Sequence, residues 1–203
     1  MKKLDGYEKA QAYGDTERLP AGGYVLEILD VEYQDNSSKG YNDKIVLSFD
    51  VSEGEHKGFY KDNYKEQAGE DKKWKGKFWN FRVPKDDGTE QDGWAMRRFK
   101  TIISAFEESN EGFHWDWDEK KLKGLLVGAL FNNKEFESDN GTRGFYTNCH
   151  SLVTVEKIRS GKFEVPADTL LKGNSRHGSG YGRTDADGFM DVPDGIGGEF
   201  PFN

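Results

Sequence analysis

The sequence predicts a mainly β protein in which five short strands form a small Greek-key barrel, followed by a disordered C-terminal tail. Two observations lead to this fold class. Short stretches rich in β-branched and aromatic residues recur along the chain, with one long amphipathic stretch between the third and the fourth. After Ile158 the periodicity ends, and residues 172–203 are rich in Gly, Ser, Asp and Arg.

The five predicted strands share a short alternation of apolar and polar residues that ends at turn residues. In the second strand, Ile45, Leu47 and Phe49 face one way, which predicts a half-buried antiparallel strand. The last two strands flank the sequence Asp-Asn-Gly and therefore predict a hairpin. The strands cover residues 23–33, 44–51, 74–83, 122–136 and 142–158.

One long amphipathic helix is predicted for residues 92–109, between the third and the fourth strand. A shorter helix is expected within residues 53–73, where Tyr60 and Tyr64 are four residues apart. Five strands with one intervening helix fit a barrel of the oligonucleotide- or oligosaccharide-binding type, the OB-fold. A β-sandwich decorated by a helix is the alternative.

The chain is expected to divide into three segments. Only 34% of its residues are hydrophobic and 33% are charged, so part of it should lack a core of its own. We expect an N-terminal lead-in at residues 1–18, a barrel domain at residues 19–158, and a flexible acidic tail at residues 159–203.

Composition limits the compartment and the class of ligand. The single Cys149 excludes an internal disulfide and fits a reducing compartment. No stretch resembles a signal peptide or a membrane span, so a cytoplasmic location is expected. The net charge of −8 by itself argues against nucleic acid. However, residues 185–203 hold five carboxylates and no cation, which leaves −3 for residues 1–184 and permits a basic groove there.

No enzymatic, metal or cofactor site is expected. The four histidines are scattered, no phosphate-binding glycine loop is present, and one cysteine excludes the common structural zinc sites. Residues 183–194 match the spacing of an EF-hand calcium loop from its third position onward, but Arg183 stands where the first carboxylate belongs. A solvated acidic run is therefore preferred to a calcium site.

The stretch KKWKGKFWNFRV (residues 72–83) combines aromatic and basic residues in one predicted strand. Binding of single-stranded nucleic acid requires aromatic faces that stack on bases and cations that follow the backbone. Aromatic residues occur on both faces of this predicted strand. If Trp79 and Phe81 pack in the core, then Trp74 and Phe78 face outward together with Arg82. The alternative is a strand buried on both sides beneath the helix.

The final strand and the long helix add further candidates. Arg143 and Tyr146 lie on the final strand, where Phe145 and Cys149 are assigned to the core. The basic residues of the long helix are also included as DNA-binding candidates, and the alternative is that they form a solvated face of the helix. The candidate DNA-binding residues are Trp74, Lys75, Lys77, Phe78, Arg82, Arg97, Arg98, Lys100, Arg143 and Tyr146.

Three blocks of the body and the C-terminal tail carry a family resemblance. The blocks are LPAGGYVLEILDVEY, DKIVLSFDVSEGEHKGFY and DGWAMRRFKTIISAFEES, within residues 19–158. With the acidic tail and its Phe-Pro-Phe tip, the chain resembles phage-encoded single-stranded DNA-binding proteins of replication and recombination modules. In that family the tail recruits partner proteins. The matching residues here are Asp185, Asp187, Asp191, Asp194, Glu199, Phe200, Pro201 and Phe202.

The resemblance implies a set of properties that the residue patterns alone do not. These are an OB-fold, sequence-independent binding of single-stranded DNA without catalysis, and recruitment of replication or recombination proteins. It also implies self-association, with a dimer favoured, and a location in the host cytoplasm. A protein–protein adaptor without nucleic-acid binding is the alternative, favoured by the net acidity and disfavoured by the aromatic and basic strand.

Overall fold

The fold is a five-stranded antiparallel sheet accompanied by three helices. The structure, a computed structural model, describes residues 18–68 and 70–171 and the two short strands Arg183–Thr184 and Met190–Asp191. The strand order of the main sheet is β3-β2-β1-β4-β5. Its elements are β1 (Gly22–Gln34), β2 (Lys44–Val51), α1 (Phe59–Glu66), β3 (Lys77–Phe78), α2 (Glu90–Ser109), β4 (Leu126–Glu137), β5 (Arg143–Val153) and α3 (Val155–Arg159).

The mainly β class, the long helix between β3 and β4 and the β4–β5 hairpin are confirmed. The sheet is not closed, because β3 and β5 are its two edges and no pairing joins them in the described part of the chain. The last strand ends at Val153 instead of residue 158, since the Thr154 hydroxyl accepts a hydrogen bond from Lys157 N and begins α3.

Aromatic rings fill the core beneath β1, β2 and β4. The fully buried Phe131 contacts Tyr24 and Phe49 edge to face, with ring centroids 5.4 and 5.9 Å apart. At one end of the sheet, Phe99 of α2 packs against Phe81 at a centroid distance of 5.1 Å. Helix α2 thus covers one end of the core with its apolar face, as its sequence periodicity predicts.

Strand β2 is buried on both faces, so the prediction of a half-buried strand is wrong. Val46 and Asp50, on the face predicted to be polar, are buried as well. The Asp50 carboxylate is satisfied because it accepts hydrogen bonds from Tyr60 N at 2.9 Å and Lys61 N at 3.2 Å, in the first turn of α1. Asp50 therefore anchors α1 against the sheet.

Replacing Asp50 by asparagine is expected to lower the free energy of unfolding by about 1–3 kcal/mol. The change removes the charge that strengthens the two hydrogen bonds to the start of α1 and buries an amide in its place. Urea unfolding measures the loss. The control is Asp62→Asn, since Asp62 forms only an exposed pair with Lys65 at 2.8 Å. Equal effects of the two substitutions would contradict the anchoring role of Asp50.

The third predicted strand, residues 74–83, is shorter and bent. Regular pairing is limited to Lys77–Phe78, and an isolated bridge joins Arg82 to Lys44. Phe78 and Phe81 are both buried although they are three residues apart, which a flat strand of period two does not allow. Phe78 therefore belongs to the core, and the expectation that it faces outward is wrong. Trp79, expected in the core, is instead 51% exposed.

Residues 160–171 lie along the outside of β1 and β4. The Phe163 ring occupies the space over Gly23, where an added Cβ would be 2.5 Å from the ring. Thr169 donates to Asn133 O at 2.9 Å and accepts from Glu135 N at 2.8 Å through its backbone. This segment differs from the sequence-based expectation, which begins the flexible tail at residue 159, because its backbone pairs with β4.

Of the helices in the described ranges, none combines the length and the hydropathy needed to cross a membrane.

Candidate nucleic-acid interface

A groove of about 860 Å³ lies in the opening between the two edges of the sheet. One wall is formed at the β3 edge by Trp74, Lys75, Lys77 and Trp79, and the other by residues 144–147 of β5 with Phe136 of β4. Residues of α1, including Tyr60 and Asn63, also line it, and Arg18 and Leu19 lie beside β5. The groove thus follows directly from the failure of the sheet to close.

The β3 wall holds two tryptophans in different states. Trp74 is fixed, because its Nε1 donates to Phe49 O at 3.2 Å and to Gly76 O at 3.0 Å. Trp79 is half exposed, and the Lys77 ammonium lies 5.2 Å from its ring centroid. Trp79 therefore offers an accessible aromatic face with a cation beside it.

Gly76 makes this wall possible. Its backbone oxygen accepts a hydrogen bond from Phe49 N at 2.8 Å, which ties the segment to β2. An added Cβ would lie 2.3 Å from Phe49 O, so the close approach requires glycine. Lys75 and Lys77, on either side of Gly76, both line the groove.

The β5 wall is an aromatic surface on the hairpin. The rings of Phe136 and Tyr146 are 6.2 Å apart and inclined by 52°. Gly144, which pairs with Phe136 across the hairpin, leaves room for that ring, since an added Cβ would be 3.0 Å from it. Phe145, assigned to the core from sequence, is exposed and lines the groove, and the Arg18 guanidinium donates to its carbonyl.

The lining of the groove is basic and aromatic. Among the described residues that line it, three are cations and none is Asp or Glu. Its buried phenol, Tyr60, is held neutral because desolvation raises its pKa. The cations are Arg18, Lys75 and Lys77, and the aromatic residues are Phe59, Tyr60, Trp74, Trp79, Phe136, Phe145 and Tyr146.

The structure brings four of the ten candidate residues to the groove, namely Trp74, Lys75, Lys77 and Tyr146. Phe78 is in the core, as described above. Three further candidates lie elsewhere: Arg143 pairs with Glu137 at 2.9 Å, Arg97 covers the ring of Trp94 at 4.3 Å, and Lys100 is on an exposed face of α2. The remaining two also lie outside the lining: Arg82 forms an isolated bridge with Lys44, and burial, followed by the charge of Arg82, lowers the pKa of Arg98 on α2.

Sequence patterns missed Arg18, Trp79, Phe136 and Phe145. Trp79 keeps the alternation of Lys75 and Lys77, which also line the groove, and the alternation breaks only between the buried Phe78 and the buried Phe81. Phe136 and Phe145 follow an ordinary hairpin pattern, so no local signal distinguishes an exposed aromatic hairpin from a buried one. Arg18 lies in the predicted lead-in and meets the groove only through its contact with β5.

Cys149 is buried, and desolvation raises the pKa of its thiol, which holds it in the neutral form. No cluster of His, Cys, Asp and Glu that could hold a metal occurs among the described residues. Within the stretch with EF-hand spacing, the backbones of Arg183 and Asp191 are opposite each other in the register of the two short strands.

The other tail residues assigned to partner binding lie outside the described residues. These are Asp194, Glu199, Phe200, Pro201 and Phe202.

Comparison with known proteins gives no match, either to a family model or to a curated sequence. The functional interpretation therefore depends on the groove.

Proposed function

We propose that the groove between β3 and β5 binds single-stranded DNA without sequence preference, in phage DNA replication or recombination. The observation that carries this proposal is the lining itself: among the described residues it holds three cations, seven aromatic residues and no carboxylate, in a chain of net charge −8. Such a lining suits a polymer that is anionic along its backbone and flat and aromatic at its bases.

The aromatic rings and the cations of the groove support different parts of the recognition. Exposed rings such as Trp79 and Tyr146 offer faces on which any base can stack, so the affinity does not depend on sequence. Lys75 and Lys77 supply charge for the phosphates, and their flexible stems follow a mobile backbone. An acidic peptide would use the same cations, but it would leave most of the aromatic surface without a partner.

The strand order also supports an OB-fold barrel opened at one seam. If β3 and β5 came together, the five strands would form a closed ring in which β1 lies between β2 and β4. OB-folds are partly open barrels of five strands that bind oligonucleotides across one face. In our proposal the DNA lies in the open seam.

The groove is tested by titrating the protein with oligo-dT while tryptophan fluorescence is recorded at several salt concentrations. We expect quenching at low salt, from stacking on Trp79, and an affinity that falls linearly with the logarithm of the salt concentration. Absence of binding at low salt would refute the proposed function and would favour the adaptor alternative.

Replacing Lys75 and Lys77 together by glutamine is expected to reduce the slope of log affinity against log salt by about 1.4. Each phosphate contact on a single strand contributes about 0.7 to this slope. The control replaces Lys120 and Lys157, which do not line the groove. A slope that changes equally in both double variants would mean that only the overall charge matters.

The proposal includes the tail, on the resemblance alone. The acidic residues keep such a segment extended and the Phe-Pro-Phe tip offers apolar rings to a replication or recombination protein. Self-association as a dimer belongs to the same proposal. Loss of a partner interaction on deletion of residues 185–203, with unchanged oligo-dT affinity, would support the tail's role.

A further inference from the structure

The groove has a polar floor where α1 lines it. Tyr60 and Asn63 both line the groove, although they are only 7% and 8% exposed. They are three residues apart on α1 and therefore lie on the same face of that helix. The Asp50 carboxylate holds this helix against the sheet, because it accepts hydrogen bonds from the first turn. Tyr60 and Asn63 together are the polar floor.

A chain of hydrogen bonds fixes the orientation of the Asn63 amide. The Lys73 N–H donates to Gln67 Oε1, and Gln67 Nε2 donates to the Lys73 carbonyl, each at 2.9 Å. Gln67 Nε2 also donates to Asn63 Oδ1 at 3.2 Å. The Lys73 backbone thus decides which end of Gln67 carries the NH₂ group. Because that NH₂ group meets the Asn63 oxygen, the NH₂ group of Asn63 points away from Gln67.

The polar floor has hydrogen-bonding groups that the described part of the chain does not use. Neither Asn63 Nδ2 nor Tyr60 Oη forms a hydrogen bond with a described residue. Neither atom is completely enclosed, because the enclosed and unpaired side-chain atom of the described ranges is Trp115 Nε1. Desolvation raises the pKa of Tyr60, which keeps its hydroxyl protonated. The floor therefore offers an amide and a hydroxyl as donors to a ligand in the groove.

These donors match one edge of a nucleotide better than the others. The Watson–Crick edge of every base includes an N–H group, which an amide NH₂ group cannot bind. At the edge beside the sugar, every base has an acceptor in the same place, which is O2 in pyrimidines and N3 in purines. The oxygen O2 can accept from two donors, and the sugar ring oxygen O4′ lies beside purine N3 as a second acceptor. Contact with this edge is possible for any base.

We propose that Asn63 Nδ2 donates a hydrogen bond to pyrimidine O2 or purine N3 of a nucleotide in the groove, with the Tyr60 hydroxyl as a second donor to the same sugar edge. This inference rests on the proposed function of the groove, and it adds a hydrogen bond that does not depend on sequence. A phosphate suits the floor less well, because its charge would be buried beside two neutral groups.

The first test leaves the protein unchanged and alters single atoms of the ligand. Ten-residue oligonucleotides of dA, 3-deaza-dA and 7-deaza-dA are compared by fluorescence anisotropy, because each deaza base replaces one ring nitrogen by CH. We expect 3-deaza-dA to bind about 2- to 10-fold more weakly than dA, the effect of one hydrogen bond. The matched control, 7-deaza-dA, should bind as dA does. Equal affinities for the two deaza oligonucleotides would overturn the inference.

The same comparison is made for a pyrimidine. Sulfur is a weaker acceptor than oxygen, so 2-thio-dT should bind more weakly than dT, whereas 4-thio-dT should bind as dT does. A loss of affinity in 4-thio-dT alone would place the other edge of the base on the floor and would contradict the proposed contact.

The second test alters the two side chains of the polar floor. Tyr60→Phe should weaken binding of the dA and dT oligonucleotides about 2- to 10-fold, without lowering the midpoint of urea unfolding, because no described residue bonds to this hydroxyl. Asn63→Leu should bind dA and 3-deaza-dA equally. The control is Tyr33→Phe, since the Tyr33 hydroxyl donates to Asp43 at 2.6 Å and does not line the groove. Equal losses of affinity in the two Tyr→Phe variants, or a preference for dA that persists in Asn63→Leu, would refute the assignment.

These results separate the inference from the proposed function. Failure of every oligonucleotide to bind would refute DNA binding by the groove, and the contact of the polar floor with it. Binding of all of them, with no difference within the deaza and thio pairs, would refute the contact of the polar floor alone.

Discussion

Replacing Trp79 by alanine is expected to weaken binding of oligo-dT by about 1–3 kcal/mol, or roughly 5- to 150-fold. Trp79 is half exposed and lines the groove, and its ring carries the Lys77 ammonium at 5.2 Å. The substitution removes the most accessible tryptophan face of the groove and, with it, the ring that holds the Lys77 ammonium in place. Because the side chain contributes little to the core, the midpoint of urea unfolding should change only slightly. Fluorescence anisotropy of a labelled oligonucleotide measures the affinity.

Trp94 provides a matched control for Trp79. It is exposed to a similar extent and also has a cation over its ring, since the Arg97 guanidinium lies 4.3 Å from the centroid. It lies on α2 and does not line the groove. Trp94→Ala should leave the affinity for oligo-dT unchanged. A similar loss in both variants would place the stacking surface outside the groove or indicate a general effect on folding.

Replacing Phe131 by alanine is expected to lower the free energy of unfolding by about 3–5 kcal/mol, which is the usual range for a buried phenylalanine. Phe131 is fully buried, and its ring contacts both Tyr24 and Phe49. It also lies on β4, which carries the aromatic hairpin. The cavity left by the ring would lie where β1, β2 and β4 meet, and rigid strands relax poorly around such a space. Urea unfolding, followed by circular dichroism, measures the loss.

Phe136→Ala makes the same chemical change on the same strand but at an exposed site. The Phe136 side chain is 42% exposed at the groove wall, so its removal should cost less than about 1 kcal/mol of stability. It should weaken binding of oligo-dT, because the ring supports Tyr146. Stability losses of equal size at positions 131 and 136 would contradict the assignment of the core.

The elements with strong local signals could be predicted from the sequence. The apolar spacing of α2 and the Asp-Asn-Gly turn of the β4–β5 hairpin act within a few residues, and both elements formed as expected. Which side chains of residues 74–83 face the core could not be predicted, because the alternation breaks between the buried Phe78 and the buried Phe81 and the sequence pattern does not mark that break. The burial of Asp50 likewise depends on the docking of α1.

Only part of the groove could be predicted from the sequence. The basic and aromatic composition of residues 72–83 pointed to one wall. The opposite wall is supplied by a hairpin more than fifty residues later, and only the sheet order shows that the two edges face a common opening.

The open seam also exposes the protein to unwanted contact between its own copies. The outer strand β5 has eleven residues, and a free edge of that length is a template onto which another chain can add. Two features interrupt it. The Arg18 guanidinium donates a hydrogen bond to the Phe145 carbonyl, and the Thr147 hydroxyl donates one to the Leu19 carbonyl. Further along β5, the bulge at His150 breaks the regular spacing of the backbone groups. The contacts that shape the rim of the groove thus also protect the sheet from edge-to-edge aggregation.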